Sequence, residues 1–250
     1  MIDVAFLGTE VRPSGAAVVI DVLRASSTIT LALASGYERV LVAGSVDEAL
    51  ELRSPQRTLA GEVGCARAPG FDLGNSPEET ATPRTPELVL ATTNGAPAII
   101  ASAAVADEVI VASLLNLDAV LAQLAGAEDV LLVCAGTNGR VSIEDVYLAG
   151  RLSAALDRPR SDAAQIAEAV AAFYENPLDA LEASAGAVGL RREGLESDIA
   201  FCAQESIVDA VPRLAETVDG AAVIDTAPTT ERTSMAAVGK ATDTHSQKAI

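Results

Sequence analysis

AAVVIDVLR at residues 16–24, SSTITLALASGY at 26–37, ERVLVAG at 38–44, SVDEALELR at 45–53 and TLAGEV at 58–63 decide the fold class of this 250-residue chain. The first, third and fifth are short apolar runs rich in β-branched residues, while the second and fourth carry apolar residues at helical spacing. Strand, helix, strand, helix, strand is the order of a parallel sheet, because parallel neighbours need a long crossover that a helix supplies. Outward from this stretch the alternation continues: ELVLATTN (87–94), GAPAIIASAAVA (95–106), DEVIVAS (107–113), NLDAVLAQLAG (116–126), DVLLVCAG (129–136) and SIEDVYLAGRLSAAL (142–156). The N-terminal MIDVAF reads as a further strand, residues 162–214 as mainly helical with breaks at Pro177 and Gly194, and GAAVID (220–225) as a last strand. The expected fold is α/β, three layers α/β/α with a largely parallel or mixed sheet. Residues 1–225 read as one domain, and the Thr/Ser/Ala-rich residues 226–250 as a disordered tail.

Charge restricts the partners. A net charge of −18 argues against nucleic acid and anionic membrane surfaces, both of which call for a basic patch. No run approaches the roughly 18 uncharged apolar residues of a membrane span, and the N-terminus lacks the pattern of a signal peptide, so a cytoplasmic location is expected. Both lysines, Lys240 and Lys248, and the single histidine, His245, lie near the C-terminus. The body of the chain must therefore handle any anion with arginine, helix N-termini or a bound cation. Cys65, Cys134 and Cys202 show no metal-ligand spacing and read as reduced thiols.

Ligands of open parallel sheets gather at the carboxyl ends of the strands, and the informative residues fall there. In DVLRASST, Asp21 can bind a divalent cation while Arg24, Ser26, Ser27 and the helix start hold an anion. The competing reading makes a serine the N-cap and pairs Arg24 with Asp21. Glu62 ends the TLAGE strand ahead of a long turn-rich loop, GFDLGNSPEETATPRTP (70–86), where Asn75 and Ser76 offer polar contacts. Thr92, Thr93, Asn94 and Gly95 pass from strand to helix and suit a phosphate or sulfonate, or simply cap the helix. Cys134 and Arg140 have the Cys-x5-Arg spacing of a thiolate phosphatase, yet Cys134 closes the apolar run DVLLV, where a buried structural cysteine is expected. Glu144 and Asp145 are candidate metal ligands, although Ser142-x-x-Asp145 also satisfies a capping box.

Taken in series, DVLRASSTI, LAGEV, GFDLGNSPEE, TTNGAPA, CAGTNGRVSIEDVYLAG, ASAGAVGLRREGLESDIAFCA and VPRL resemble the 2-phosphosulfolactate phosphatase family from about Ala17 to about Leu214. The resemblance implies a three-layer α/β enzyme, dependent on Mg2+, that releases sulfolactate from phosphosulfolactate on the route to coenzyme M. It implies Asp21, Glu62 and Asp145 as the acids for the cation and for catalysis, and Arg24, Ser27, Asn75, Thr93 and Asn94 as substrate contacts, to which spacing adds Ser26 and Gly95. The expected partner is a small anionic phosphate ester, and a homodimer is compatible with this reading. Two alternatives stand beside it: a cysteine-dependent phosphatase using Cys134 and Arg140, and a non-catalytic protein that binds a small anion.

Overall fold

A computed structural model describes residues 1–226. Apart from Thr226, the expected tail lies outside the described residues. The first half of the chain forms β1 (Ile2–Ala5), β2 (Ser14–Ile20), α1 (Ala25–Ala34), β3 (Arg39–Val42), α2 (Val46–Glu51), β4 (Arg57–Val63), β5 (Ala66–Arg67), α3 (Pro77–Thr80), β6 (Glu87–Ala91), α4 (Gly95–Ala103) and β7 (Ala106–Ala112). The second half forms α5 (Leu117–Leu124), β8 (Val130–Cys134), α6 (Ile143–Ala155), α7 (Asp162–Phe173), α8 (Pro177–Glu182), α9 (Ala185–Arg192), α10 (Ser197–Cys202), β9 (Arg213–Val218) and β10 (Ala221–Asp225).

The strands make one mixed sheet in the order β1-β8-β2-β7-β9-β10-β3-β6-β4-β5. It consists of two parallel halves, β1-β8-β2-β7 and β3-β6-β4, each threaded through crossover helices. Between them lies the antiparallel pair β9 and β10, with β9 bridging to β7 and β10 pairing with β3. The reading of residues 162–214 as helical needs one correction, because β9 starts at Arg213. Its sequence, RLAETV, has no buried residue and no continuous apolar run, so the signal that marks the parallel strands is missing.

Strand twist accumulates over ten strands, and one face of both halves closes around α1 and α4. Ala17, Val19, Val109, Val111 and Val133 from one half share a single core with Val40, Val42, Leu88 and Leu90 from the other, and Ile29, Ala32, Ala96 and Ile99 of the two helices fill it. α1 is buried on every side from Ala25 to Leu33, which is why ASSTITLAL lacks a polar face. The opposite face of the first half is covered by α5 to α10, and that of the second by α2 with Ala68 and Phe71. These are the three layers. Among the described residues no helix is long and apolar enough to cross a membrane. The curvature brings the carboxyl ends of β2 and β8 opposite those of β4 and β6, at the N-termini of α1, α4 and α6.

Candidate active site

Asp21 stands where β2 runs out. Its N–H donates to Ser26 Oγ (2.9 Å) and its carbonyl accepts from Ser26 N–H (2.9 Å), so the turn into α1 is closed by its own residues. Its carboxylate accepts backbone N–H groups from Ala25 and Gly95, the first residues of α1 and α4. Position 95 has to be glycine for this approach: a Cβ there would lie 2.5 Å from Asp21 Oδ2 and 2.5 Å from Ala25 Cβ. Burial, followed by the charge of Glu62, pushes the Asp21 carboxyl up to about 7 despite these donors and Arg24.

Three more carboxylates converge on this region. Glu62 receives the N–H of Thr93 on Oε1 (2.7 Å) and that of Cys65 on Oε2 (2.9 Å), tying the end of β4 to the end of β6. Asp145 accepts from Val22 N–H (2.9 Å) and Gly136 N–H (3.0 Å), joining the ends of β2 and β8. The Ser142-x-x-Asp145 capping box is therefore not formed, and α6 has no side-chain cap. Burial, with Glu144 and Asp21 as like charges, holds the Asp145 carboxyl well above the usual range. Glu144 is buried as well, and its Oε2 has no hydrogen-bond partner. Its carboxyl is pushed up to about 7, chiefly by burial and further by Asp21, against its own N–H and the Ser184 hydroxyl. Gly186 on α9 makes room for it, since a Cβ there would sit 2.5 Å from Glu144 Oε1. Four buried acids around one strand end call for positive charge. Among the described residues, however, no three His, Cys, Asp or Glu side chains stand close enough to form a ready metal cage.

A small cavity opens onto this group, lined by Asp21, Leu23, Arg24, Glu62, Cys65, Asn75, Asn94, Thr137 and Gly186. Of the residues picked from sequence, Asp21, Arg24, Glu62, Asn75 and Asn94 thus meet, from four separate segments. Asn75 is buried with its Oδ1 unpartnered. Asn94 Oδ1 accepts from Asn138 N–H (3.0 Å) and fixes the turn after β8. Thr93 and Gly95 take part through their backbone N–H groups, on Glu62 and Asp21. Asp145 anchors the wall behind.

Ser26 and Ser27 do not reach the cavity. Both are fully buried, and their hydroxyls donate to Val19 O (3.3 Å) and Val22 O (2.9 Å), so they hold the turn and not an anion. The alternative pairing of Arg24 with Asp21 also gives way. Arg24 Nη1 bonds Asp198 Oδ2 at 2.6 Å and its Nη2 bonds Cys65 O at 2.9 Å, while Asp198 Oδ1 takes the Ser76 hydroxyl at 2.7 Å. No local spacing pointed to Asp198. The thiolate reading fails on position: Cys134 is fully buried in the core, and burial with Asp145 nearby drives its thiol far above the ordinary range. Residues 137–140 form a tight turn with Thr137 and Arg140 bonded backbone to backbone, and not a phosphate-wrapping loop.

The family model of 2-phosphosulpholactate phosphatase matches residues 6–217, which contain every residue just described. The chain belongs to this family. Similar proteins include a probable 2-phosphosulfolactate phosphatase of Thermus thermophilus, 40% identical over 205 residues that span 78% of this chain and 86% of the relative. One of Thermotoga petrophila is 40% identical over 220 residues, spanning 86% and 95%. The 2-phosphosulfolactate phosphatase of Methanothermobacter thermautotrophicus is 37% identical over 202 residues, spanning 80% and 86%. The 2-phosphosulpholactate phosphatase match begins after β1 and ends inside β9, so the parallel strands other than β1, and with them those that frame the cavity, fall within it.

Proposed function

We propose that this chain is a magnesium-dependent phosphatase that hydrolyses 2-phosphosulfolactate to sulfolactate and inorganic phosphate, a reaction on the way to coenzyme M. The observation that carries the reading is the group of buried acids around Asp21 in a body whose only basic side chains are arginines. Glu144 Oε2 is, among the described residues, the buried carboxylate oxygen left without a partner, and carboxylates raised by one another's charge are what a cation relieves. The chemistry of these donors suits a hard divalent ion, which would have to draw the carboxylates closer together than they stand. Asp21, Glu62 and Asp145 would hold it, with Glu144 as a further oxygen.

A divalent ion held there would neutralise phosphoryl oxygens and lower the pKa of water. The chain supplies the rest. Arg24, locked by Asp198 and Cys65, presents fixed positive charge at the cavity wall, and the Asn75 and Asn94 amides orient the ester. A buried acid of this group that does not ligate the ion would accept the proton of an attacking water. The test is phosphate release from 2-phosphosulfolactate with magnesium, and again after exhaustive chelation. Full activity in chelator refutes the cation, and saturable binding of the ester without release makes the chain an anion-binding protein.

A further inference from the structure

The acid cavity continues into a much larger cleft of about 760 Å³, within the range of small-molecule sites. Cys65, Thr137 and Gly186 line both and mark the seam. One wall of the cleft is the turn after β8, with Asn138, Arg140 and Val141. The other is a stripe of α9 in which Ala185, Gly189 and Arg192 recur at helical spacing. Small residues at 185, 186 and 189 keep that wall low, and Arg192 and Arg140 put a guanidinium on each side.

These two arginines differ from most of the others. Arg12, Arg24, Arg39, Arg53, Arg57, Arg151, Arg160, Arg191 and Arg213 each pair with a carboxylate. Arg140 and Arg192 are exposed, and neither side chain has an ion pair or hydrogen bond among the described residues. Glu193 is the one carboxylate lining the cleft. In a chain of net charge −18, two unpaired guanidinium groups facing one cleft form a local anion site. Arg24 cannot fill this role freely, because two of its nitrogens are committed to Asp198 and Cys65.

We propose that Arg140 and Arg192 are specificity-determining residues that bind the sulfonate and carboxylate arms of the ester while its phosphate lies in the acid cavity. The proposal rests on the phosphatase reading above. It is tested with R140Q, R192Q and the double variant on two substrates, 2-phosphosulfolactate and isopropyl phosphate, whose two arms are methyl groups. A calorimetric titration with sulfolactate runs alongside. Each single change is expected to raise KM for 2-phosphosulfolactate by about tenfold, with kcat within about threefold, and to leave kcat/KM on isopropyl phosphate unchanged. The double variant should no longer bind sulfolactate. Unchanged KM in both single variants, or an equal loss on both substrates, overturns the assignment while leaving the phosphatase reading standing. If the wild type releases no phosphate from either ester yet binds sulfolactate through these arginines, the catalytic reading falls and the cleft assignment holds. A wild type that fails to bind sulfolactate overturns it.

Discussion

Arg24 and Asp198, 174 positions apart, form an ion pair of 2.6 Å with each side chain only 2% exposed. The pair fastens the first turn of α1 to α10, and through Ser76 it also holds the loop that delivers Asn75. Removing one partner leaves a buried charge uncompensated, so Arg24→Ala and Asp198→Ala should each lower unfolding free energy by about 3–5 kcal/mol. Denaturant midpoints of the two variants and their combination decide this. The double variant should lose clearly less than the sum, and simple additivity would show that the two side chains are not coupled. Arg24→Lys should behave as a partial loss, since an ammonium cannot serve Asp198 and Cys65 O with the same fork.

The raised carboxyl of Asp21 has a definite sign in stability. Its native pKa is about 7, against roughly 3.9 in an unfolded chain. Between these values the native state holds more protons than the unfolded one, so stability falls as pH rises through that window and then levels off. Glu144, also pushed up to about 7, acts in the same direction. In chelator, Tm of the wild type should drop from pH 5 to pH 8. Asp21→Asn should flatten the profile and melt above the wild type at pH 8, with phosphate release abolished. A wild-type Tm that stays level across this range would count against the buried, ionisable Asp21.

Gly95 and Gly186 are spacers for carboxylates. A methyl group at 95 would collide with Asp21 Oδ2, and one at 186 with Glu144 Oε1, each at 2.5 Å. Gly95→Ala and Gly186→Ala should lower stability by about 1–3 kcal/mol. Because the carboxylate has to move, turnover should fall by about 100-fold, out of proportion to the loss of fold. Circular dichroism beside a phosphate release assay separates the two effects, and near-normal turnover in Gly95→Ala would mean that the position of Asp21 is not critical.

Cys134 offers a clean exclusion. Its side chain lies in the core beside Val146 and Ile20, away from the cavity. Cys134→Ala should cost about 1 kcal/mol of stability and leave kcat within about twofold. In native protein a thiol reagent should label half-buried Cys65 first and leave Cys134 and Cys202 until unfolding. Loss of activity in Cys134→Ala with an intact fold would bring back the thiolate mechanism.

Short apolar runs alternating with segments of period 3.6 made the parallel halves legible, and with them the strand ends where Asp21, Glu62 and Asn94 lie. Local patterns were less informative about where a side chain turns. Ser26 and Ser27 resembled anion donors, but a hydroxyl at a helix start can bond back to a nearby backbone carbonyl, as both do, Ser26 to Val19 in β2 and Ser27 to Val22 in the turn. Asp145 matched a capping box, whereas the backbone N–H groups of Val22 and Gly136, brought close only by strand pairing, claim its oxygens. Asp198 and Gly186 come from helices far along the chain, and nothing in their neighbouring residues signals the contact.

β10, the last element of the described chain, occupies the sixth place in a ten-strand sheet, between β9 and β3. Synthesis proceeds from the N-terminus, so both parallel halves emerge from the ribosome before the strand that joins them. Until residue 225 is free, β3 keeps an open edge and β7 lacks its neighbour, leaving two unpaired strand edges of the kind that recruit other chains. A nascent or prematurely terminated copy therefore carries, in the middle of its sheet, two sticky edges that the finished protein covers.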